Sequence, residues 1–256
     1  IRLMVHFMKQ AAVCWTKVDV MTRAKTVILI VVEGSTDETA LALLLTQVFD
    51  SSYVVFDITS GDITAKQCLT NEAMRERVRS HIIEHVKHKP YSWNDLERIA
   101  LITDLDGTFI EDGQVIFHDA ELEYDLDAIR TNKVKEITKR NHRKAKSIEQ
   151  LISTPYLTYK KARVPFSIYF MSRNLEHALH NVIETINPDE KERLARLFQR
   201  QFSGNTQGFI DFMNSAELAA PGNYTQTWEY VRKGTRSLER GSNLHLLLNE
   251  RGKAVR

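Results

Sequence analysis

VILIVVEGSTDETALALLL runs from Val27 to Leu45. It opens on an unbroken apolar run rich in β-branched residues and closes on a second apolar run, this one leucine-rich. A strand buried on both faces of a parallel sheet reads in that continuous way. Between the two runs stand Glu33, Gly34, Asp37 and Glu38. Three carboxylates therefore sit where a buried strand hands over to a helix. Asp37 and Glu38 have a local use there, because acids in a first turn complement the helix dipole. Glu33 has no such use, since its neighbours in sequence are core residues.

The same reading, extended along the chain, predicts a strand over 26–32, a helix over 37–48, a strand over 52–58 and a helix over 71–87. RIALIT at 98–103 is another buried strand, ending at Asp104. QVIF at 114–117 reads as a small strand after a turn at Asp112-Gly113, and 119–130 as helix. PFSIYFM at 165–171 is a strand, followed by helices over about 174–184, 188–202, 206–217 and 224–250, broken around Pro221-Gly222. Strands alternating with helices make this an α/β chain with a mostly parallel sheet flanked by helices.

The chain has 256 residues, 43% of them apolar and 27% charged, which suits one large domain or one domain with a helical appendage. A net charge of +2 means that affinity for nucleic acid must come from uneven distribution of charge. Cys14 and Cys68 form no metal or redox spacing and read as reduced thiols of a cytoplasmic protein. No apolar run approaches the ~20 residues that cross a membrane. Residues 1–24 form an N-terminal extension without a signal-peptide pattern, and Met21 is a sensible start.

Asp104 and Asp106 follow the end of a later strand, in ALITDLDGT. In open α/β sheets, sites collect beyond the carboxyl ends of strands. Two such ends bring Glu33, Asp37, Glu38, Asp104 and Asp106 towards one place. Carboxylates so gathered repel one another unless cations neutralise them. The hard, oxygen-seeking choice is Mg²⁺, or Mn²⁺ in its stead.

VEGSTDE resembles the first motif of the TOPRIM domain, in which a strand ends in glutamate and glycine with an acid a few residues on. TDLDG resembles that family's second motif, Asp-x-Asp after a later strand. The interval of about 70 residues, Glu33 to Asp104, suits the family. SRNLEHAL, after PFSIYFM, is similar to an element of the OLD-type and related defence nucleases, in which a glutamate joins a second metal. Here Ser172 stands four residues before Glu176 rather than two, so the glutamate alone is carried over.

The resemblance implies a TOPRIM-like, Rossmann-like catalytic domain over 25–185 and a helical C-terminal region over 186–256 packed on or beside it. It implies a metal-dependent endonuclease. Glu33, Asp104 and Asp106 would hold one ion, Asp37 and Glu176 would help hold a second, and Glu38 would lie just outside. Lys233, in EYVRKGTRSLERGSN, takes the place of the family's downstream lysine, which stabilises charge on phosphorus. The chain is too short for a topoisomerase or a primase. No phosphate loop of the Gly-x-x-x-x-Gly-Lys-Ser/Thr type occurs, so ATPase function would come from a partner protein. The picture is a toxic effector of a bacterial anti-phage system, with a homodimer suited to cutting two strands.

NKVKEITKRNHRKAK, from Asn132 to Lys146, carries Lys133, Lys135, Lys139, Arg140, Arg143, Lys144 and Lys146 against Glu136. Such density binds phosphates and releases counterions; as a bare charge run it equally suits a solvated helix face. Lys160, Lys161 and Arg163, near Tyr156 and Tyr159, add charge beside groups able to stack on bases. Two other classes compete with the nuclease. DLDGTFI at 104–110 matches the first motif of haloacid-dehalogenase-type phosphatases, with Asp104 as nucleophile and Asp106 as acid/base. That motif normally ends the first core strand, no paired-Asp motif follows downstream, and VEGSTDE stays unexplained. A non-catalytic regulatory module binding nucleic acid through its basic stretch is the third reading.

Overall fold

The computed structural model describes residues 27–49, 53–59, 62–66, 71–119 and 121–250. The N-terminal extension and both cysteines lie outside the described residues. β1 (Val27–Val32) is buried along its whole length, as its unbroken apolar run requires. It leads into α1 (Ser35–Val48), β2 (Tyr53–Ile58), α2 (Asn71–Lys87) and β3 (Leu96–Asp104). Three short strands follow, β4 (Val115–Phe117), β5 (Glu123–Tyr124) and β6 (Ile129–Thr131), and then the long helix α3 (Val134–Ile152). The hairpin β7 (Tyr156–Tyr159) and β8 (Ala162–Ser172) precedes α4 (Leu175–His180), α5 (Pro188–Phe202), α6 (Thr206–Met213) and α7 (Tyr224–Val231). β9 (Gly241–Ser242) and α8 (Leu244–Leu248) close the described chain.

The main sheet has the order β2-β1-β3-β8-β7, with β9 also on β8. β2, β1, β3 and β8 are mutually parallel, and β7 and β9 are antiparallel to β8. Alternating residues of each strand face opposite layers, the two-residue period of a pleated strand. Ile28, Ile30 and Val32 pack with α1, α4, α5, α6 and α8, in a core containing Phe198, Phe202 and Phe209. Val27, Leu29 and Val31 pack with α2, α3 and α7, around Met74, Ile148 and Trp228. The chain is thus an α/β protein with a mostly parallel sheet covered by helices on both faces. The C-terminal helices α5, α6 and α8 share one hydrophobic core with α1 and the strands. No helix of the described residues is long and apolar enough to cross a membrane.

Three expectations are corrected. The stretch 119–130 is not helical but supplies β5 and part of the small sheet β4-β6-β5. Leu122, Tyr124 and Leu126 alternate with acids, a period of two that outweighs helix propensity. α4 stops at His180, because Asn181 adopts a left-handed cap with φ 56°. The expected long helix over 224–250 is α7, a turn-rich segment with Gly234 at φ 58°, then β9 and α8. The hairpin strand β7 lies in a stretch whose charge is its most visible feature; its Leu157 is buried between exposed Tyr156 and Thr158.

Strand order reverses between β1 and β3. From β1 the chain moves outward to β2, then crosses back through α2 to β3 on the other side. A crevice opens beyond the carboxyl ends of strands at such a switch point. Glu33 follows the end of β1 and Asp104 is the last residue of β3.

Candidate active site

Glu33 is fixed from the neighbouring strand: Thr103 Oγ1 donates to its Oε1 at 2.6 Å. Gly34 caps α1, and its amide donates to Asp37 Oδ2 at 2.8 Å. Asp37 therefore folds back over the strand end rather than pointing away along the helix. Beyond Asp104 the chain turns sharply. Leu105 N donates to the carbonyls of Met171 and Arg173, at 3.0 and 2.9 Å, and Asp106 N to Arg173 O at 2.9 Å. Asp106 and Gly107 both lie in the left-handed region, at φ 49° and 68°. A Cβ on Gly107 would come within 2.6 Å of Leu238 and 2.9 Å of Ile129. The glycine of DLDG is thus required twice, by its φ and by its neighbours.

At the end of β8, Glu176 on α4 is buried, and Lys191 of α5 reaches its two oxygens at 3.2 and 3.3 Å. Asp37 feels both the Glu176 carboxylate and the Lys191 ammonium. A cleft of about 550 Å³ opens here, lined by Asp106, Tyr124, Lys133, Arg173, Glu176 and Lys191, among others. Arg173 lies over the Tyr124 ring at 4.9 Å and Arg140 at 6.0 Å.

Two residues of the basic stretch reach into this site. Lys144 is fully buried, and its Nζ bridges Asp62 Oδ2 at 2.6 Å and Asp106 Oδ2 at 2.8 Å. Arg140 donates to Asp106 O at 2.9 Å and to the Tyr124 hydroxyl at 2.9 Å. The expectation that Lys144 binds nucleic acid is corrected by its burial, while Arg140 is half-buried with its guanidinium turned to Asp106 and Tyr124. Ile137, Asn141, Lys144, Ile148 and Leu151 fall at the three- and four-residue spacings that share one helix face, and that face is turned inward. Lys133 is exposed and pairs with Glu121 at 2.5 Å, while Lys135, Lys139, Arg143 and Lys146 lie along the outer face of α3.

Asp62 escapes a reading of the sequence alone. It lies beyond the end of β2, so four parallel strands each contribute acid beyond their carboxyl ends: Glu33, Asp62, Asp104 with Asp106, and Glu176. The one cue in the sequence is its place in SGDIT, just after a predicted strand. Asp62 Oδ1 accepts from Thr64 N at 2.7 Å, Thr64 Oγ1 at 2.5 Å and Ala65 N at 3.0 Å. Thr64 Oγ1 lies 3.4 Å from Thr103 Oγ1, which links this loop to Glu33.

The electrostatics are those of a site with too much negative charge. Burial pushes the Glu33 carboxyl up to about 8, opposed by Lys144 and reinforced by Asp62 and Asp106. Burial, with repulsion from Glu176, raises Asp37 to about 6 against the Gly34 amide. Asp104 is raised well above the carboxylate range by burial and by Glu33, Asp37 and Asp106. Asp62 goes the other way: burial raises it, but the charge and hydrogen bond of Lys144 outweigh that and hold it low. Lys144 is held charged, because Asp106, Glu33 and Asp62 outweigh its desolvation.

Two expected residues stand apart. Glu38 is half-buried in the first turn of α1, and its side chain bonds none of these carboxylates among the described residues. Lys233 is exposed in the turn after α7 and likewise contacts none of them. Tyr156, Lys160, Lys161 and Arg163 lie on the β7–β8 hairpin, at the amino end of β8, away from the carboxylates. Among the described residues no three His, Cys, Asp or Glu side chains form a ready-made metal cage; Lys144 stands between carboxylates instead. The donor set still fits a hard cation, since every candidate donor is a carboxylate oxygen, and burial together with neighbouring acids raises Glu33, Asp37 and Asp104 above their ordinary values. Compared with protein-family models, with curated proteins and with solved structures, the chain gave no match.

Proposed function

We propose that the chain is a TOPRIM-like, Mg²⁺- or Mn²⁺-dependent nuclease that hydrolyses phosphodiester bonds of DNA or RNA. One observation carries the reading: carboxylates from the ends of β1, β3 and β8 gather at the switch point of a parallel sheet, and burial raises Glu33, Asp37 and Asp104 above the ordinary carboxylate range. Glu33, Asp104 and Asp106 are the residues that would hold one divalent ion, and Asp37 and Glu176 those that would help hold a second. Divalent ions held there would supply activation of a water and stabilisation of the leaving oxygen of a phosphodiester.

The chain's own residues supply the rest. Lys191, in the cleft beside Glu176, takes the charge-stabilising role that the resemblance gives to Lys233. Arg173 and Tyr124 wall the cleft, and Lys135, Lys139, Arg143 and Lys146 hold the polymer's phosphates from the outer face of α3. The phosphatase reading draws on Asp104, Asp106 and the Lys144 ammonium beside them. It is disfavoured because it leaves VEGSTDE, with Glu33 and Asp37, and the buried Glu176 without a role. A role as a toxic effector released by an ATPase partner extends the same proposal.

The test is cleavage of plasmid DNA and of a tRNA pool in Mg²⁺ or Mn²⁺, by wild type and Glu33→Ala. Cleavage of either polymer, abolished by the substitution and by EDTA, is the expected result. Intact polymers with turnover of a phosphate monoester that survives Glu33→Ala and fails in Asp104→Asn would replace the nuclease with the phosphatase.

A further inference from the structure

We infer that Lys144 is a resident counter-cation of the carboxylate cluster, giving up Asp106 when a divalent cation takes that carboxylate, and that Asp62 is the positioning residue that keeps the lysine thereafter. The inference rests on the divalent-cation reading above and adds to it a residue that no motif marks.

The two carboxylates that share Lys144 are held very differently. Asp62 is anchored: its second oxygen accepts from Thr64 N, Thr64 Oγ1 and Ala65 N, at 2.7, 2.5 and 3.0 Å. Asp106 is anchored only through its backbone, by Arg173 O and Arg140. Its side chain has Lys144 as its single hydrogen-bond partner among the described residues. Asp106 is therefore the carboxylate free to turn to another cation, and Asp62 is the one that stays. A fully buried ammonium with no anion beside it is untenable, because an unpaired buried charge costs far more than a paired one. Asp62 removes that difficulty at 2.6 Å from Nζ. The lysine's compact point charge suits such an exchange, having no fixed fork of donors to realign. It follows that the lysine competes with the divalent ion for Asp106 and sets the concentration at which the site fills.

The experiment is calorimetric titration of the full chain with Mn²⁺ alone, comparing wild type, Lys144→Met, Asp62→Asn, the double variant and Glu33→Gln. Removing the competitor should tighten Mn²⁺ binding about 10-fold, and removing the anchored anion should weaken it about 10-fold, the size of effect expected between contacting charges. On the Lys144→Met background, Asp62→Asn should change affinity by no more than about twofold, since the residue acts through the lysine. A plain loss of local negative charge would instead weaken binding equally on both backgrounds. If Mn²⁺ binds wild type, is lost in Glu33→Gln, and is unmoved or weakened by Lys144→Met, the counter-cation role is overturned while the metal site stands. If neither wild type nor Lys144→Met binds Mn²⁺, the metal reading itself falls. Should Lys144→Met fail to fold, Asp62→Asn, at a partly exposed loop position, carries the test. Unchanged affinity there overturns the role.

Discussion

Glu33 weakens the fold in order to be where it is, and Glu33→Gln should remove that cost. Glutamine keeps the side-chain length and a carbonyl to accept from Thr103, now at 2.6 Å. What disappears is the ionisation that burial opposes. The carboxyl stands at about 8 in the folded chain against 4.5 ordinarily. A raised value means no penalty below 4.5, where both states are protonated. The penalty grows as pH rises, because the unfolded chain ionises first, and it is complete above about 8. At 1.36 kcal/mol per pH unit, the penalty is on the order of 1 kcal/mol at pH 5 and on the order of 3 kcal/mol at pH 7. The variant should therefore unfold later than wild type, by roughly 2–4 °C for each kcal/mol in a chain of this size. The assay is thermal and urea unfolding at pH 5, 7 and 8.5 in EDTA. A stability gap that widens with pH is expected, and saturating Mn²⁺ should narrow or reverse it. A gap independent of pH, or a variant less stable than wild type throughout, would show that the Glu33 carboxyl carries no such penalty.

Lys144→Met, which leaves the partly exposed Asp62 and Asp106 without their cation, should cost about 1–3 kcal/mol in urea unfolding at pH 7 without metal. The loss should shrink towards pH 4, where the stranded carboxylates take up protons. Gly107→Ala should destabilise by about 2–4 kcal/mol, from its positive φ and the close approach of Leu238, and should abolish polymer cleavage even where the fold persists. Lys139→Glu with Arg143→Glu should leave unfolding unchanged. It should weaken nucleic-acid binding and flatten its dependence on log salt by about 0.9 for each phosphate no longer neutralised, read by fluorescence anisotropy across a salt series.

The framework of the fold is legible because its strands are unbroken apolar runs. VILIVV and RIALIT read as strands buried on both faces, and each is followed at once by acid. Their order in the sheet and the switch point cannot be read locally, since they depend on α2 carrying the chain back across β1. Glu33, Asp37, Asp104, Asp106 and Glu176 are each visible as acids at strand or helix ends. Lys144 and Arg140 mislead because charge density outweighs helical phase to the eye; Lys144 shares a face with Ile148 and Leu151. Asp62 stays hidden because a single acid in a polar turn carries no pattern of its own. Its meaning comes from a lysine 82 positions later (144 − 62) that reaches it at 2.6 Å. Lys191 is concealed for the same reason, being one charge in a helix whose neighbours are charged too.

If this cluster takes a divalent cation, the ion must displace the protons that burial favours on Glu33 and Asp104. Proton release on Mn²⁺ binding at pH 7, measured calorimetrically in two buffers of different ionisation enthalpy, is the sharpest test of that exchange. With Glu33 at about 8 and Asp104 raised well above the carboxylate range, wild type should release about one proton or more per site filled, and Glu33→Gln fewer. Binding without proton release, or no Mn²⁺ binding at millimolar concentration, would mean that this cluster is not a divalent-cation site.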